Sequence, residues 1–432
     1  MVADAFKTFS LRKRPQTATA KRAPLGSYAR GESGLKTIQK LLFLTVVTLP
    51  LFLLAGCWSS IELNDRSFAR MMLIDKAKEG IELTLAFPLP NRLIPGQSGG
   101  TGEQTGKPYT FISKKGRDIG EAYRKIQADL SRSITFGQTS VIVLGNGLAK
   151  EGMMQVFDFL QREPRIHINA SIYLTPGKAQ ELMVVPSIFE RFPVDILVDY
   201  SKAHVTLNTT VKDCLVAFYH GGDIILPSLT FETKTLPTEM ENPQKWMGTG
   251  GAGIFRQGKL VASLSTYEMR GAMWVMGQMR NAEVSVKSST DGKYVDYMVN
   301  QTRTKITPSI SGDQVMIKIK VEADASLITS DSDVDLLDPA QQHKLEQGIS
   351  DLVEKRMAKA VERAKATGAD VFRFGEYIDW YEPRQWRRIA PQWRDLYRKV
   401  TVSYDAHVTI KRLGTVKEPL RIQNSNSSEA NR

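Results

Sequence analysis

Residues 41–56, LLFLTVVTLPLFLLAG, are the longest apolar run of the chain and carry no charge. Lys36 and Lys40 precede this run, and Cys57 follows it directly. Its sixteen residues fall short of the about 20 that a helix needs to span a bilayer, and Pro50 would weaken such a helix further. The pattern is typical of the apolar core of an export signal.

The next part of the chain alternates between strand and helix patterns. Three segments predict strands, residues 81–87, 139–145 and 166–174, and two predict helices, residues 116–130 and 148–163. The inward-facing side chains are expected to be Ile119, Ala122, Ile126 and Leu130 in the first helix, and Met153, Val156, Phe157 and Leu160 in the second. This order of elements predicts an α/β unit with a mixed sheet.

The middle of the chain has a weaker pattern. Pro186, Pro193 and Pro227 interrupt it, and helical and extended interpretations compete for residues 195–219. We predict a small connecting domain here.

The C-terminal part has clearer periodicity. Residues 254–265 predict a hairpin that turns at Gln257-Gly258, and the Met- and Trp-rich residues 266–279 predict a helix whose apolar stripe is core. Residues 315–323 alternate as a strand, and a helix with a polar outer face is expected from about residue 340 to 365. The apolar seam of that helix would be Leu345, Ile349, Leu352 and Met357.

The last patterned unit pairs a helix with a strand. A helical stripe is predicted after Pro383, and core packing is the favoured role of its tryptophans. The stripe consists of Trp386, Ile389, Ala390, Trp393 and Tyr397, and residues 400–410 alternate as a strand after it.

These elements predict an α/β (α+β) fold, a multi-domain ectodomain in which helices pack on mixed β-sheets. The expected segments are a signal peptide over residues 1–56, an N-terminal α/β domain over 57–178, a connecting domain over 179–245, a C-terminal α/β domain over 246–414 and a disordered tail over 415–432.

The end of the apolar run has the pattern of a bacterial lipoprotein signal. Leu54, Ala55 and Gly56 would be recognised by the signal peptidase, and Cys57 would receive the lipid and become the first residue of the mature protein. The alternative is a chance Gly-Cys pair at the end of an ordinary membrane anchor or a buried helix. The leader is unusually long, so either translation starts later at a non-Met codon or the basic segment before the apolar run is extended.

Charge is concentrated in that leader. The formal net charge of the chain is +12, but residues 1–40 hold nine Lys/Arg against Asp4 and Glu32. The leader therefore accounts for +7 and the mature chain for only +5. This removes most of the argument for a nucleic-acid partner, and the remaining excess favours contact with an anionic membrane surface.

The sequence predicts no catalytic residues, no metal site and no cofactor. Gly248, Gly250 and Gly253 match G-x-G-x-x-G, but they precede a hairpin rather than linking a strand to a helix. The acidic Glu62 and Asp65 have no predicted cleft around them. The histidines lack metal-ligand spacing; they are His167, His204, His220, His343 and His407. The remaining cysteine, Cys214, is expected to be a small buried residue without a disulfide.

The residues that follow the lipidation motif resemble a known family. The stretch CWSSIELND, residues 57–65, is similar to C-W-x-x-x-E-L-N-D, the opening of the Ger(x)C spore-germination lipoproteins. Further likeness lies at residues 73–75, 116–152, 157–164, 253–277 and 383–414. Two departures are the longer leader and Gln138, where the family often has His or a similar residue.

The resemblance implies a C subunit of a nutrient germinant receptor, with three α/β domains on mixed sheets and no catalytic role. Such a subunit is lipid-anchored on the outer face of the spore's inner membrane. Its partners are integral-membrane A-type and B-type subunits, with which it responds to amino acids, sugars or nucleosides.

A partner contact is expected near the membrane, close to the lipidated cysteine. Its residues would be Trp58, Glu62, Leu63, Asn64 and Asp65. The simpler role of Asn64 or Asp65 is to cap a helix N-terminus. A solute-binding lipoprotein of a transporter remains an alternative function, although no repeat between two lobes is visible. A lipid-anchored envelope enzyme is a third, which would need a convergent polar site.

Overall fold

The computed structural model describes residues 38, 40–45, 62–89, 107–187, 190–235, 243–312 and 314–412. The chain divides into two units, residues 1–62 and residues 63–432. In the first unit, residues 40–45 are helical and exposed. Among the residues described, none of the helices has both the length and the apolar character needed to cross a membrane.

The second unit contains fourteen strands, β1 to β14, and ten α-helices, α1 to α10. The strands are Arg66–Phe68, Met71–Lys76, Ile81–Pro88, Tyr109–Gly116, Ser133–Thr135, Val141–Leu144, Ser171–Leu174, Ile224–Thr235, Pro243–Arg256, Lys259–Leu264, Ala282–Lys287, Tyr294–Ser311, Gln314–Ser330 and Thr401–Arg412. The helices are Ile119–Ala128, Asn146–Glu151, Met154–Arg162, Pro193–Lys202, Val211–Tyr219, Thr266–Val275, Pro339–Thr367, Phe374–Tyr381, Pro383–Ile389 and Trp393–Tyr397. These counts refer to the described part of the chain.

The larger sheet has eight strands in the order β10-β9-β8-β7-β6-β2-β3-β4. Its centre is parallel, because β6 pairs in parallel with both β2 and β7, whereas β3, β4, β9 and β10 join by antiparallel pairing. The central strands are short apolar runs, as expected where helices cover both faces of a sheet.

Successive side chains of these central strands enter two different cores. Ile142 and Leu144 of β6 pack with α1, α3 and α5 on one face, while Val141 and Val143 pack with α4 on the other. The period of two along the strand thus distributes one apolar run between both faces.

The smaller mixed sheet has the order β11-β12-β13-β14, in which the last pair is parallel. Strands β12 and β13 pair over most of their lengths, and α6 and α7 cover one face of the sheet. The fully buried Trp274 and Ile349 belong to this core. A further two-stranded parallel sheet joins β1 to β5.

All three hydrophobic cores of the described chain lie between residues 69 and 410. None of them includes a residue of the first unit. A chain that starts at Trp58 therefore retains every one of these cores, which is the basis for expecting it to fold.

The predicted α/β fold with mixed sheets packed by helices is confirmed. The hairpin at Gln257-Gly258 is also confirmed, with φ of 51° and 74° at its two turn residues. Both angles are positive, as a type I′ turn requires. The expected inward face of α3 is buried, and so are Ile119, Ala122 and Ile126 of α1 and Cys214. Leu130, expected on the same face as these three, lies beyond the end of α1 and is half-buried. The domain boundaries stay predictions.

Three local predictions were wrong in detail. The strand expected at 166–174 is limited to Ser171–Leu174, because residues 163–170 form hydrogen-bonded turns. The single helix expected at 148–163 is divided into α2 and α3. Gly152 lies between them with φ of 136°, a backbone conformation that is not helical and therefore ends α2. In α7, Val353 rather than Leu352 is fully buried.

Candidate functional site

The first candidate site is the N-terminal end of the folded unit. Leu63–Asp65 form one turn of 3-10 helix that leads directly into β1. Glu62, Asn64 and Asp65 are exposed, and the Leu63 side chain is 74% exposed. Because a strand follows, neither Asn64 nor Asp65 caps an α-helix here. The other predicted site residues, Leu54, Ala55, Gly56, Cys57 and Trp58, lie outside the described residues.

The chain that follows this turn is held firmly to the rest of the unit. The backbone N–H of Ala69 donates to the Thr135 carbonyl oxygen at 3.0 Å, and the Thr139 hydroxyl donates to the Ala69 carbonyl oxygen at 2.8 Å. Arg70 forms an ion pair with Asp195 at 2.8 Å and stacks on the Phe192 ring, 5.0 Å from its centroid. These contacts attach the start of the second unit to Thr135, to Thr139 and to α4.

The second candidate site is a cavity of about 200 Å³ with a cluster of charged side chains. It lies where the end of α5 and the start of β8 meet the helices α8 to α10. Its polar lining consists of His220, Asp223, Asp370, Arg373, Glu376 and Arg394, and its aromatic lining of Trp386 and Trp393.

Asp223 connects these two parts of the fold. Its carboxylate accepts hydrogen bonds from the Arg394 guanidinium at 3.1 Å and from the backbone N–H groups of Gln257 and Asp370, both at 3.0 Å. Arg394 also donates to the Gly221 carbonyl oxygen at 2.8 Å. The Asp223 carboxylate therefore contacts three parts of the fold: the hairpin turn, the segment that follows α7, and helix α10.

Asp370 is the second carboxylate of the cluster. It accepts hydrogen bonds from the backbone N–H groups of Phe374 at 2.9 Å and Gly375 at 2.8 Å, and from the Trp393 indole N–H at 2.9 Å. Burial raises the pKa of the Asp370 carboxyl to about 6, and the nearby Asp223 charge raises it too. The three donors oppose this shift and lower the pKa.

Arg373 occupies the left-handed region, with φ of 60°, at the residue before α8. This conformation is uncommon outside glycine, asparagine and aspartate. The guanidinium forms a short bidentate ion pair with Glu376 on the first turn of the helix. Interactions with the Glu376 carboxylate raise the pKa of Arg373.

The cluster has carboxylates and a histidine around one cavity, as an enzyme site would. However, Asp223 and Glu376 are each paired with an arginine, and Asp370 is held by three N–H donors. A general base needs an oxygen that is free to take a proton from a substrate. The arrangement fits a structural contact that holds the end of α5 and the start of β8 against helices α8 to α10.

Sequence reasoning missed this cluster. Asp223 and Arg394 are 171 residues apart, so no local spacing reveals their contact. Of the residues that line the cavity, only the tryptophans were singled out from the sequence. Their predicted role in core packing is confirmed, because Trp393 is buried and Trp386 packs on the same core.

Asp370 should make stability depend on pH. A folded-state pKa near 6, above the usual 3.8, means that the folded chain binds the proton more tightly than the unfolded chain. The resulting stabilisation is complete below about pH 4 and is lost as the pH rises through 6. Relative to Asp370→Asn, the free energy of unfolding of the unmodified chain should rise by roughly 1.3 kcal/mol between pH 7 and pH 5.

Urea unfolding of the chain that starts at Trp58 measures this difference. Asp351→Asn, on the exposed side of α7, is the control and should follow the unmodified chain at both pH values. If Asp370→Asn also follows the unmodified chain, the carboxyl does not titrate in this range.

Comparisons with known proteins give a consistent result. The family model Spore germination protein N-terminal domain matches residues 59–231, and Spore germination B3/GerAC like, C-terminal, matches residues 250–414. The Spore germination protein KC of Bacillus subtilis (strain 168) is 24% identical over 404 residues, which cover 89% of this chain and 99% of that protein. The putative spore germination protein YfkR of the same organism is 23% identical over 386 residues, 88% of this chain and 98% of its own.

A solved structure, the crystal structure of the GerBC protein, has a similar fold. It matches with a TM-score of 0.51 and 20% sequence identity, and the match covers 80% of this chain and 98% of that one. At this level of identity the likeness concerns the fold alone.

Proposed function

Because the chain belongs to the Spore germination B3/GerAC-like family, we propose that it is a lipid-anchored, non-catalytic subunit of a spore nutrient germinant receptor. The observation that carries this proposal is the joint match of the family's N-terminal and C-terminal models in their expected order. The relatives are spore germination proteins that align over nearly their whole length. The non-catalytic role is supported by the charge cluster around Asp223, Asp370 and Glu376, because its carboxylates already have hydrogen-bonding or ion-pair partners within the chain.

The proposed attachment is through Cys57. A diacylglyceryl group would be transferred to its sulfur, the bond between Gly56 and Cys57 would be cut, and an acyl group such as palmitate would be added to the new amine. Each buried CH₂ contributes about 0.8 kcal/mol, so several chains hold firmly where one binds marginally. The protein would then face outward from the spore's inner membrane.

The proposed partners are the integral-membrane A-type and B-type subunits, and the first contact would involve residues 62–65. Six residue steps separate Cys57 from Leu63, so an extended chain covers at most about 20 Å. Leu63 is the most exposed leucine of the described second unit. An exposed apolar side chain between polar neighbours fits a contact that a partner covers.

Purification of the tagged, full-length chain from detergent-solubilised spore membranes tests this function. We expect two multi-span membrane proteins to co-purify with it. Leu63→Ser should reduce their recovery several-fold, since it removes the apolar contact, while Leu337→Ser, at another exposed leucine, should not. Recovery of transporter subunits instead would contradict the receptor proposal and favour the solute-binding alternative.

A further inference from the structure

The end of α8 and the short helix α9 expose an unusual set of side chains. Trp380 is 65% exposed and Tyr381 is 52% exposed. Arg384, Arg387 and Arg388 follow, all exposed, and their spacing of three and four places them on one face of α9. We call these five residues the arginine-tryptophan surface.

Packed aromatic side chains lie beneath this surface. On the inner side of α9, Trp386 packs against Trp393, with ring centroids 5.4 Å apart. An alanine methyl group at Gly375 would lie 2.7 Å from the Trp386 ring, so the helix approaches the backbone of α8 closely. The Trp380 ring contacts Tyr377 edge-on, with centroids 5.3 Å apart. The outward side chains are thus presented by packed helices.

Within the part of the chain that the structure describes, the three arginines of the surface are free of ion pairs. Arg384, Arg387 and Arg388 form no ion pair with any described residue, whereas the nearby Arg373 and Arg394 are both paired with carboxylates. The only hydrogen bond of these three side chains within the described chain is from the Arg387 Nε to the Pro383 carbonyl oxygen at 3.4 Å. Three guanidinium groups therefore remain available to an anionic partner.

We propose that the arginine-tryptophan surface binds an anionic lipid bilayer. Tryptophan and tyrosine favour the interface between lipid headgroups and acyl chains, where one edge of the ring is apolar and the other is hydrated. Unpaired arginines beside them complement the phosphates of anionic lipids. An acidic protein segment would satisfy the charges, but it would leave the large exposed indole of Trp380 without an apolar environment.

The inference rests on the proposed function, because a lipid-anchored chain always has a bilayer within reach. Tethering raises the local concentration of the surface at the membrane and adds to the affinity that the surface has by itself. Binding would orient the folded unit on the bilayer. The lipid on Cys57 would hold the protein there, and the surface would set how it lies.

Vesicle binding of the chain that starts at Trp58 tests the proposal without the lipid anchor. We expect co-sedimentation with vesicles of phosphatidylglycerol mixed with phosphatidylcholine, and at least tenfold weaker binding to pure phosphatidylcholine. The triple variant Arg384→Gln, Arg387→Gln, Arg388→Gln should bind the anionic vesicles roughly 100-fold less. Trp380→Ser should weaken binding several-fold, because it removes the interfacial indole.

The matched control removes three positive charges elsewhere. Lys305 on β12 and Lys344 and Lys355 on α7 are exposed and form no ion pair with a described residue, and their replacement by glutamine should leave vesicle binding within about twofold. Circular dichroism establishes that each variant is folded. Absence of binding to either vesicle, equal binding to both, or equal loss in the control and the arginine variant would each overturn the proposal; the first result would indicate an acidic protein partner.

The outcome is independent of the test of the receptor function. If vesicle binding fails, the full-length chain can still co-purify with two multi-span proteins. If the receptor function is wrong, vesicle binding of the soluble chain is unaffected, because the surface lies on α8 and α9 of the chain itself.

Discussion

Cys57→Ala is expected to abolish lipid attachment and to leave a folded but mislocalised protein. In the proposed attachment the Cys57 sulfur would accept the diacylglyceryl group, and alanine offers no nucleophile in its place. Without the lipid, the cut between Gly56 and Cys57 should also fail. The three cores lie between residues 69 and 410, so the substitution should not disturb folding.

Metabolic labelling with palmitate and mass spectrometry of the N-terminus measure this effect, and nutrient-triggered germination of spores carrying the variant reports its consequence. The control is Cys214→Ala, because Cys214 is buried and burial raises its pKa well above the usual value. It should keep its label and its activity. Normal labelling and germination of Cys57→Ala would contradict the lipoprotein assignment.

The sequence predicted the elements whose periodicity is strong. In α3, Val156, Phe157 and Leu160 are buried as expected, because a helix that packs on one side needs an apolar residue at every third or fourth position. The errors arose where one residue overrides the pattern. Gly152 ends a helix that its neighbours would continue, and turns before β7 shorten a strand that alternation would extend.

The sequence did not predict how elements that are distant along the chain pack against one another. Nothing local places β14 in parallel beside β13, or brings Asp223 to Arg394, because such contacts depend on how complete elements pack. The family resemblance predicted mixed sheets, but not the eight-strand order or the charged cavity. The residues proposed for the N-terminal contact were recognisable only through their motif, since one 3-10 turn has no periodicity to detect.

Gly271→Ala is expected to lower the free energy of unfolding by about 3 kcal/mol, an overpacking effect of the size seen when a tight core receives an extra group. Gly271 lies on α6 where it crosses α7. A methyl group there would be 2.0 Å from the Arg356 carbonyl oxygen and 2.6 Å from its carbonyl carbon. Backbone atoms cannot rotate away, so the two helices must separate, and the contacts of the buried Trp274 with the C-terminal core would loosen.

A glycine-to-alanine substitution at a second position in the same pair of helices distinguishes the effect of a steric clash from the effect of helix propensity. Gly348 lies inside α7, and a methyl group there would meet only Val286, at an ordinary 3.8 Å. Gly348→Ala should therefore stabilise the chain by up to about 1 kcal/mol, because alanine favours the helix. Urea unfolding of both variants should give shifts of opposite sign. A Gly271→Ala chain as stable as the unmodified one would mean that α6 and α7 do not pack at this distance.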